Sequence, residues 1–216
     1  VHCVRCGLQH RADLRPCGSV AEATEAIVTE LRALPPVPTV FYGHSMGGLL
    51  AVAVADHGAA RCDGLVVSCS VPGADALRVF GPPGSEEEEG LTQILSRHGL
   101  APDALGNTDL APPRRTLAHD LAFTSRLLAA VSGTRLTVPL TALAGRDDPL
   151  VPAEVLPWWN RFTTARCTAK LADGGHFFPF TPDVLLAELR ASLASACRAT
   201  RSRARAVRAG AVPAPE

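Results

Sequence analysis

A chain of 216 residues with 47% apolar and 19% charged residues can bury one sizeable core and lies in the ordinary globular range. Its 21 basic residues balance 21 acidic ones, so no overall field favours nucleic acid or an acidic partner. No apolar run reaches bilayer-spanning length and no secretory leader is visible, so a cytoplasmic protein with no membrane partner is expected.

The chain opens on "VHCVRC", residues 1–6, which alternates enough for a strand. It contains a C-x-x-C, Cys3 and Cys6, with no second ligand pair nearby. The seven cysteines (Cys3, Cys6, Cys17, Cys62, Cys69, Cys167 and Cys197) are odd in number and irregular in spacing. A redox or zinc role is therefore weighed below reduced thiols in a cytosolic protein.

"SVAEATEAIVTELRAL", residues 19–34, predicts a helix, with Ser19 as cap, Glu22 completing a capping box, and Val20, Ala23, Ile27, Leu31 and Leu34 at helical spacing. "TVFYG" then reads as a short apolar strand. "SMGGLLAVAVADHG" reads as a helix apolar nearly all round, hence buried, and "DGLVVSCS" as a buried strand. Residues 72–130 differ: they hold "GPPGSEEEEG", the turn-rich "APDALGNTDLAPP", a helical pattern from about Arg114 to Ala130, and no convincing strand. They predict an inserted helical lid, with the four-Glu run read as a solvated helix start.

The rhythm returns with the strand "LTVPLTALAG", the helix "PAEVLPWWNRF", the strand "RCTAKLA" and a last helix from Thr181 and Pro182. Residues 1–71 and 131–198 thus form one core, and 199–216 read as a disordered tail. Alternating strands and helices predict an α/β fold with a mainly parallel sheet.

The chemistry concentrates at Gly43-His44-Ser45-Met46-Gly47, a G-x-S-x-G between strand and helix. A strand that turns straight into a helix crowds the residues two before and two after the corner, so both are expected to be small. The corner residue is strained and its hydroxyl is lifted clear of the sheet. Serine there can attack a carbonyl while the backbone N–H of Met46 stabilises the oxyanion.

Serine needs a base. His176, in "ADGGHFFPF", follows a strand and two glycines at the carboxyl edge of the sheet. His44 is assigned to packing, and His2, His10, His57, His98 and His119 to the surface. The base needs an orienting carboxylate. Asp147 and Asp148 in "LAGRDDPLV" are both candidates, and either can be a turn former before Pro149. Spacing favours Asp148, and Ser45, Asp148, His176 is the chain order of α/β-hydrolases.

"FYGHSMGGLLAVAVA", "LTALAGRDDPLVPAEVLPWW" and "LADGGHFF" resemble the corresponding segments of type II thioesterases, stand-alone α/β-hydrolases that accompany polyketide synthases and nonribosomal peptide synthetases. The likeness runs from about residue 1 to 195 and is weakest over the lid. It implies an α/β-hydrolase fold and hydrolysis of acyl thioesters on the phosphopantetheine arm of acyl or peptidyl carrier proteins. It implies Ser45 as nucleophile, His176 as base, Asp148 as orienter and the Met46 N–H as oxyanion donor. The hydrolytic mechanism needs water and no cofactor, and no phosphate-binding glycine loop, H-E-x-x-H or paired cysteine signature points to a nucleotide or metal. The chain departs from the family at its start: "GLQHR" replaces a Pro-Gly-Arg sequence, and the family's preceding strand and oxyanion loop are missing. A part of a longer protein, or a decayed copy, is therefore expected. Two alternatives stay open: an esterase acting on a small ester or amide, and an inactive remnant or carrier-protein-binding module.

Overall fold

The computed structural model describes residues 18–73, 122–180 and 182–208. The expected strand over 1–6 lies outside them, as does most of the expected lid.

Helix α1 (Val20–Arg32) starts as its capping residues dictate: the Ser19 hydroxyl accepts from Glu22 N at 3.1 Å. The Glu22 carboxylate reaches back to Gly18 N at 2.8 Å rather than to the cap residue's own N–H. The helix buries Ala23, Ile27 and Val28. Strand β1 (Val40–His44) follows, then helix α2 (Met46–His57). Leu49, Leu50, Ala51, Val52 and Val54 of α2 are buried, and Gly58 ends it in the left-handed conformation that closes many helices.

Strand β2 (Gly64–Ser68) is buried at every position, as a near-continuous apolar run inside a parallel sheet must be. A helix over 122–131, α3, leads towards strand β3 (Leu140–Gly145). Phe123, Leu127, Leu128 and Val131 enter the same core as α1 and α2, so this end of the expected 72–130 insertion packs as core. Strand β3 begins at Leu140 rather than with the apolar run at Leu136, because Pro139 has no N–H to give a ladder. Leu136 makes only an isolated bridge to Thr163.

Ala153–Phe162 is 3₁₀-helical rather than α-helical, and Pro157 inside it lacks the donor an α-helix would need. Its Trp159 is fully buried and donates from Nε1 to Ser70 O at 3.1 Å. Strand β4 (Cys167–Ala172), a 3₁₀ turn (Phe178–Phe180) and helix α4 (Pro182–Arg208) complete the described chain. The expected disordered tail, 199–216, is corrected in part: α4 runs on to Arg208. The run 201–208 is built of Arg, Ala, Ser and Val with no Gly or Pro, so nothing stops the helix there.

Among the described residues the sheet has four strands in the order β1-β2-β3-β4. All three pairings are parallel, with Val40 opposite Gly64, Leu65 opposite Leu140 and Leu140 opposite Cys167. The carboxyl ends of all four strands therefore share one edge.

Candidate active site

Ser45 is the single residue between β1 and α2. It has φ 54° and ψ −124°, a region that costs a side-chain-bearing residue about 1–3 kcal/mol. Two backbone bonds hold it: Ser45 N donates to Ser68 O at 2.8 Å, and Gly48 N donates to Ser45 O at 3.0 Å. A Cβ at Gly43 would overlap the carbonyl of Gly47 and stand 2.6 Å from Gly48 N. One at Gly48 would stand 2.9 Å from the Ser70 side chain. One at Gly47 would meet nothing within 4 Å, so the crowding falls on Gly43 and Gly48 and not on both G-x-S-x-G glycines. Met46 is the first residue of α2, so its N–H is among those no carbonyl of the helix can accept.

Asp148 and His176 meet at the same edge. After β3 the chain turns, and Asp148 Oδ1 accepts Leu150 N at 2.9 Å and Val151 N at 3.1 Å. Asp148 Oδ2 lies 2.9 Å from His176 Nδ1, and both residues are buried. An ionised carboxylate only accepts, so Nδ1 carries the proton and Nε2 of the neutral ring keeps its lone pair. Backbone bonds lace the two loops together: Arg146 N to Ala172 O at 2.9 Å and Asp147 N to Gly174 O at 3.1 Å. Gly145 permits this approach, since a Cβ there would stand 2.6 Å from Gly175 O. Gly174 has φ 107°, which favours glycine. Asp147, the rival acid, is exposed. Burial pushes the Asp148 carboxyl up, but the His176 bond and charge, the Leu150 N–H and the Cys69 thiol together bring it below its ordinary value.

His44 packs, as its position suggests, but against His176 itself: the ring centroids are 5.0 Å apart. Its Nδ1 is 3.1 Å from Ser68 Oγ, which is also 2.8 Å from Tyr42 Oη. Burial, and next the neighbouring His176, push the His44 imidazole down to about 4, so it is neutral at pH 7. Phe177 stands edge-on to His176 at 5.2 Å. Cys69, fully buried just after β2, has its sulfur within 4.8 Å of ligand atoms of Asp148 and His176. Sequence reasoning missed Cys69 and Ser68 at this site; the available signal was their place at the carboxyl end of a strand between the serine and aspartate strands.

His57 pairs with Glu25 at 3.2 Å on the surface. His2, His10, His98 and His119 lie outside the described residues. A cavity of about 580 Å³, lined by Asp56, Arg61, Cys62, Asp63, Arg135 and Val138, opens before β2 and β3 at the opposite edge and receives none of these groups. Among the described residues, no helix is long and apolar enough to cross a membrane.

A parallel sheet with a strained serine at a strand-to-helix corner, and an aspartate–histidine pair delivered from later strand ends, defines an α/β-hydrolase. The chain belongs to the alpha/beta hydrolase family, whose model matches residues 2–189. Within it, the chain is similar to the "Probable cadicidin biosynthesis thioesterase" of Streptomyces griseus, at 26% identity over 166 residues. That match covers 76% of this chain but only 46% of the relative. Its fold is similar to that of RedJ, a thioesterase from the prodiginine biosynthetic pathway in Streptomyces coelicolor, with a TM-score of 0.65 at 26% identity over 88% of this chain and 74% of that one. ClbQ, from the colibactin NRPS/PKS pathway, shares the fold at a TM-score of 0.67 and 17% identity, covering 87% of this chain and 82% of its own.

Proposed function

We propose that this chain acts as a type II thioesterase, hydrolysing acyl thioesters on the phosphopantetheine arm of acyl or peptidyl carrier proteins. The observation that carries the reading is the buried His176–Asp148 pair, 2.9 Å apart, on the sheet edge that also holds the strained Ser45. The names of the similar proteins favour the thioester over other acyl substrates.

In this reading Ser45 Oγ attacks the thioester carbonyl and gives its proton to His176 Nε2. The Met46 N–H stabilises the oxyanion. Asp148 holds the ring in the required tautomer and balances the imidazolium that forms. The tetrahedral intermediate collapses, and His176 returns the proton to the departing thiolate. Water, deprotonated by the same imidazole, then cleaves the acyl-serine. No cofactor enters. Free thiols at Cys62, Cys69, Cys167 and Cys197 fit a reducing, cytoplasmic setting.

A fluorophosphonate probe should label Ser45, and Ser45→Ala should abolish the labelling. The protein should also cleave an acyl-carrier-protein thioester faster than the matching oxygen ester. A clear preference for the oxygen ester would return the site to a general esterase. Absence of labelling in folded protein would leave a remnant or binding module.

A further inference from the structure

The mechanism above makes no use of Cys69, yet its sulfur and the ligand atoms of Asp148 and His176 all lie within 4.8 Å of one another. We propose that the Cys69 thiol is a positioning group for Asp148, donating the hydrogen bond that completes the carboxylate and so fixing the oxygen that holds His176. The inference rests on the reading of Asp148 as the orienting acid.

A carboxylate offers about four lone-pair positions. Leu150 N and Val151 N take two on Oδ1, and His176 Nδ1 takes one on Oδ2. The Cys69 sulfur, within 4.8 Å of a carboxylate oxygen, is the donor placed to fill the fourth. Inside a low-dielectric site each unfilled position is costly, and each filled one restricts rotation of the group. The backbone supports a specific role. Cys69 has φ 48°, a left-handed conformation that glycine adopts without penalty, yet a side chain stands there. Cys69 N donates to Leu143 O at 2.9 Å, tying that strained residue to the strand that delivers Asp148.

Two other uses of the thiol fit less well. A metal held by Cys69, Asp148 and His176 would have to break the bonds these groups make to one another. A redox role needs access and a thiolate, but Cys69 is 0% exposed, and burial followed by the Asp148 charge pushes its thiol far up. A thiol that keeps its proton is a permanent donor. Among the described residues, the titratable groups facing Asp148 are His176 from the loop after β4 and Cys69 just after β2, with His44 of β1 beyond His176. Arg146 turns to Asp173 and Asp147 is exposed.

The test compares Cys69→Ala with Cys69→Ser, which keeps a donor. NMR of aspartate-labelled protein follows the Asp148 side-chain carboxyl carbon as pH falls, and turnover is measured on an acyl N-acetylcysteamine thioester. In C69A the carboxyl should take up its proton at a pH higher by about 0.5–1 unit, and kcat should fall about three- to tenfold with KM little changed, as the loss of one weak donor to a charged acceptor implies. C69S should restore both. A wild-type midpoint in C69A, or a C69S that behaves like C69A, overturns the proposal. If C69A does not fold, the S–H stretch of Cys69, isolated by difference against C69S, should rise in frequency in Asp148→Asn; an unmoved band overturns it equally. Failure of the wild type to label at Ser45 would sink the hydrolase reading alone, since the NMR and infrared readouts require no turnover.

Discussion

The sharpest structural prediction concerns the two glycines around Ser45. Gly43→Ala places a methyl group against backbone: it overlaps the Gly47 carbonyl and stands 2.6 Å from Gly48 N. Ordinary van der Waals separation would need roughly another 1 Å, and neither neighbour is a side chain that can swing away. Relief requires moving the start of α2 off β1, which also carries the Ser45 N to Ser68 O bond of 2.8 Å. Overpacking of a well-packed core costs about 1–3 kcal/mol, and a backbone-on-backbone clash belongs at or above the top of that range. Gly47→Ala meets nothing within 4 Å and sits in the first turn of a helix, where replacing glycine gains up to about 1 kcal/mol. Urea unfolding should therefore show G43A less stable by about 3 kcal/mol or more and G47A unchanged or slightly more stable. Fluorophosphonate labelling at Ser45 should collapse in G43A and persist in G47A. Equal damage from both variants, or a G43A of wild-type stability, would refute the assignment of the crowding to Gly43 rather than Gly47.

Further expectations follow from the same contacts. Asp148→Asn keeps an acceptor for Leu150 and Val151 but turns an NH₂ towards His176 Nδ1, which drives the proton to Nε2. Turnover should fall on the order of 10⁴-fold, whereas Asp147→Asn on the exposed neighbour should change it less than about twofold. Acid should destabilise the fold between the ordinary His44 value of 6.5 and its folded value of about 4, because in that window the unfolded chain binds a proton the folded one refuses. The loss is about 2–3 kcal/mol. Asp148 adds to it in the same direction: its folded value is lowered, so its contribution is present above the unfolded value and lost as pH falls through the folded one. His44→Gln should flatten the urea midpoint between pH 6.5 and 4, and an unchanged slope would rule out His44 as its source. Gly145→Ala, with its Cβ 2.6 Å from Gly175 O, should push the histidine loop off β3 and reduce turnover more than it reduces stability.

What the sequence revealed and what it hid divide along a physical line. The elbow was legible because a handful of consecutive residues determines it: an apolar strand, glycine, serine and an apolar helix. The α1 cap was legible for the same reason. Asp148 and His176 were legible because each follows a recognisable strand, so a parallel sheet brings both to one edge. His44 was harder. Strand alternation puts Tyr42 and His44 on one face, where both reach Ser68 Oγ. The strained bend at Ser45 then interrupts the alternation, so His44 also comes to pack on His176. Cys69 carried no motif at all. Its place near Asp148 depends on β2 lying beside β3, a fact of strand order rather than of local pattern. The tail beyond residue 199 misled because composition suggested disorder where helix propensity favoured continuation to Arg208.

The four strand ends set where the groups of the site stand. β1 contributes His44 and then Ser45, β2 Ser68 and Cys69, β3 Asp148, and β4 His176. Each group sits at or shortly beyond the last paired residue, so its position is fixed by the sheet's register. A one-residue slip between β3 and β4 would separate Asp148 from His176 by about 3.3 Å along the strand direction, more than the length of their hydrogen bond. The register is protected twice: six residue pairs from Leu140↔Cys167 to Gly145↔Ala172 set it, and two loop bonds beyond the ladder, Arg146 to Ala172 and Asp147 to Gly174, lock it where it matters. The glycines at 145 and 174 make that lock possible, because any side chain at 145 would hold the loops apart. The geometry of this edge thus depends on long-range pairing at least as much as on the serine motif, and variants that loosen β3 against β4 should lose turnover before they lose the fold.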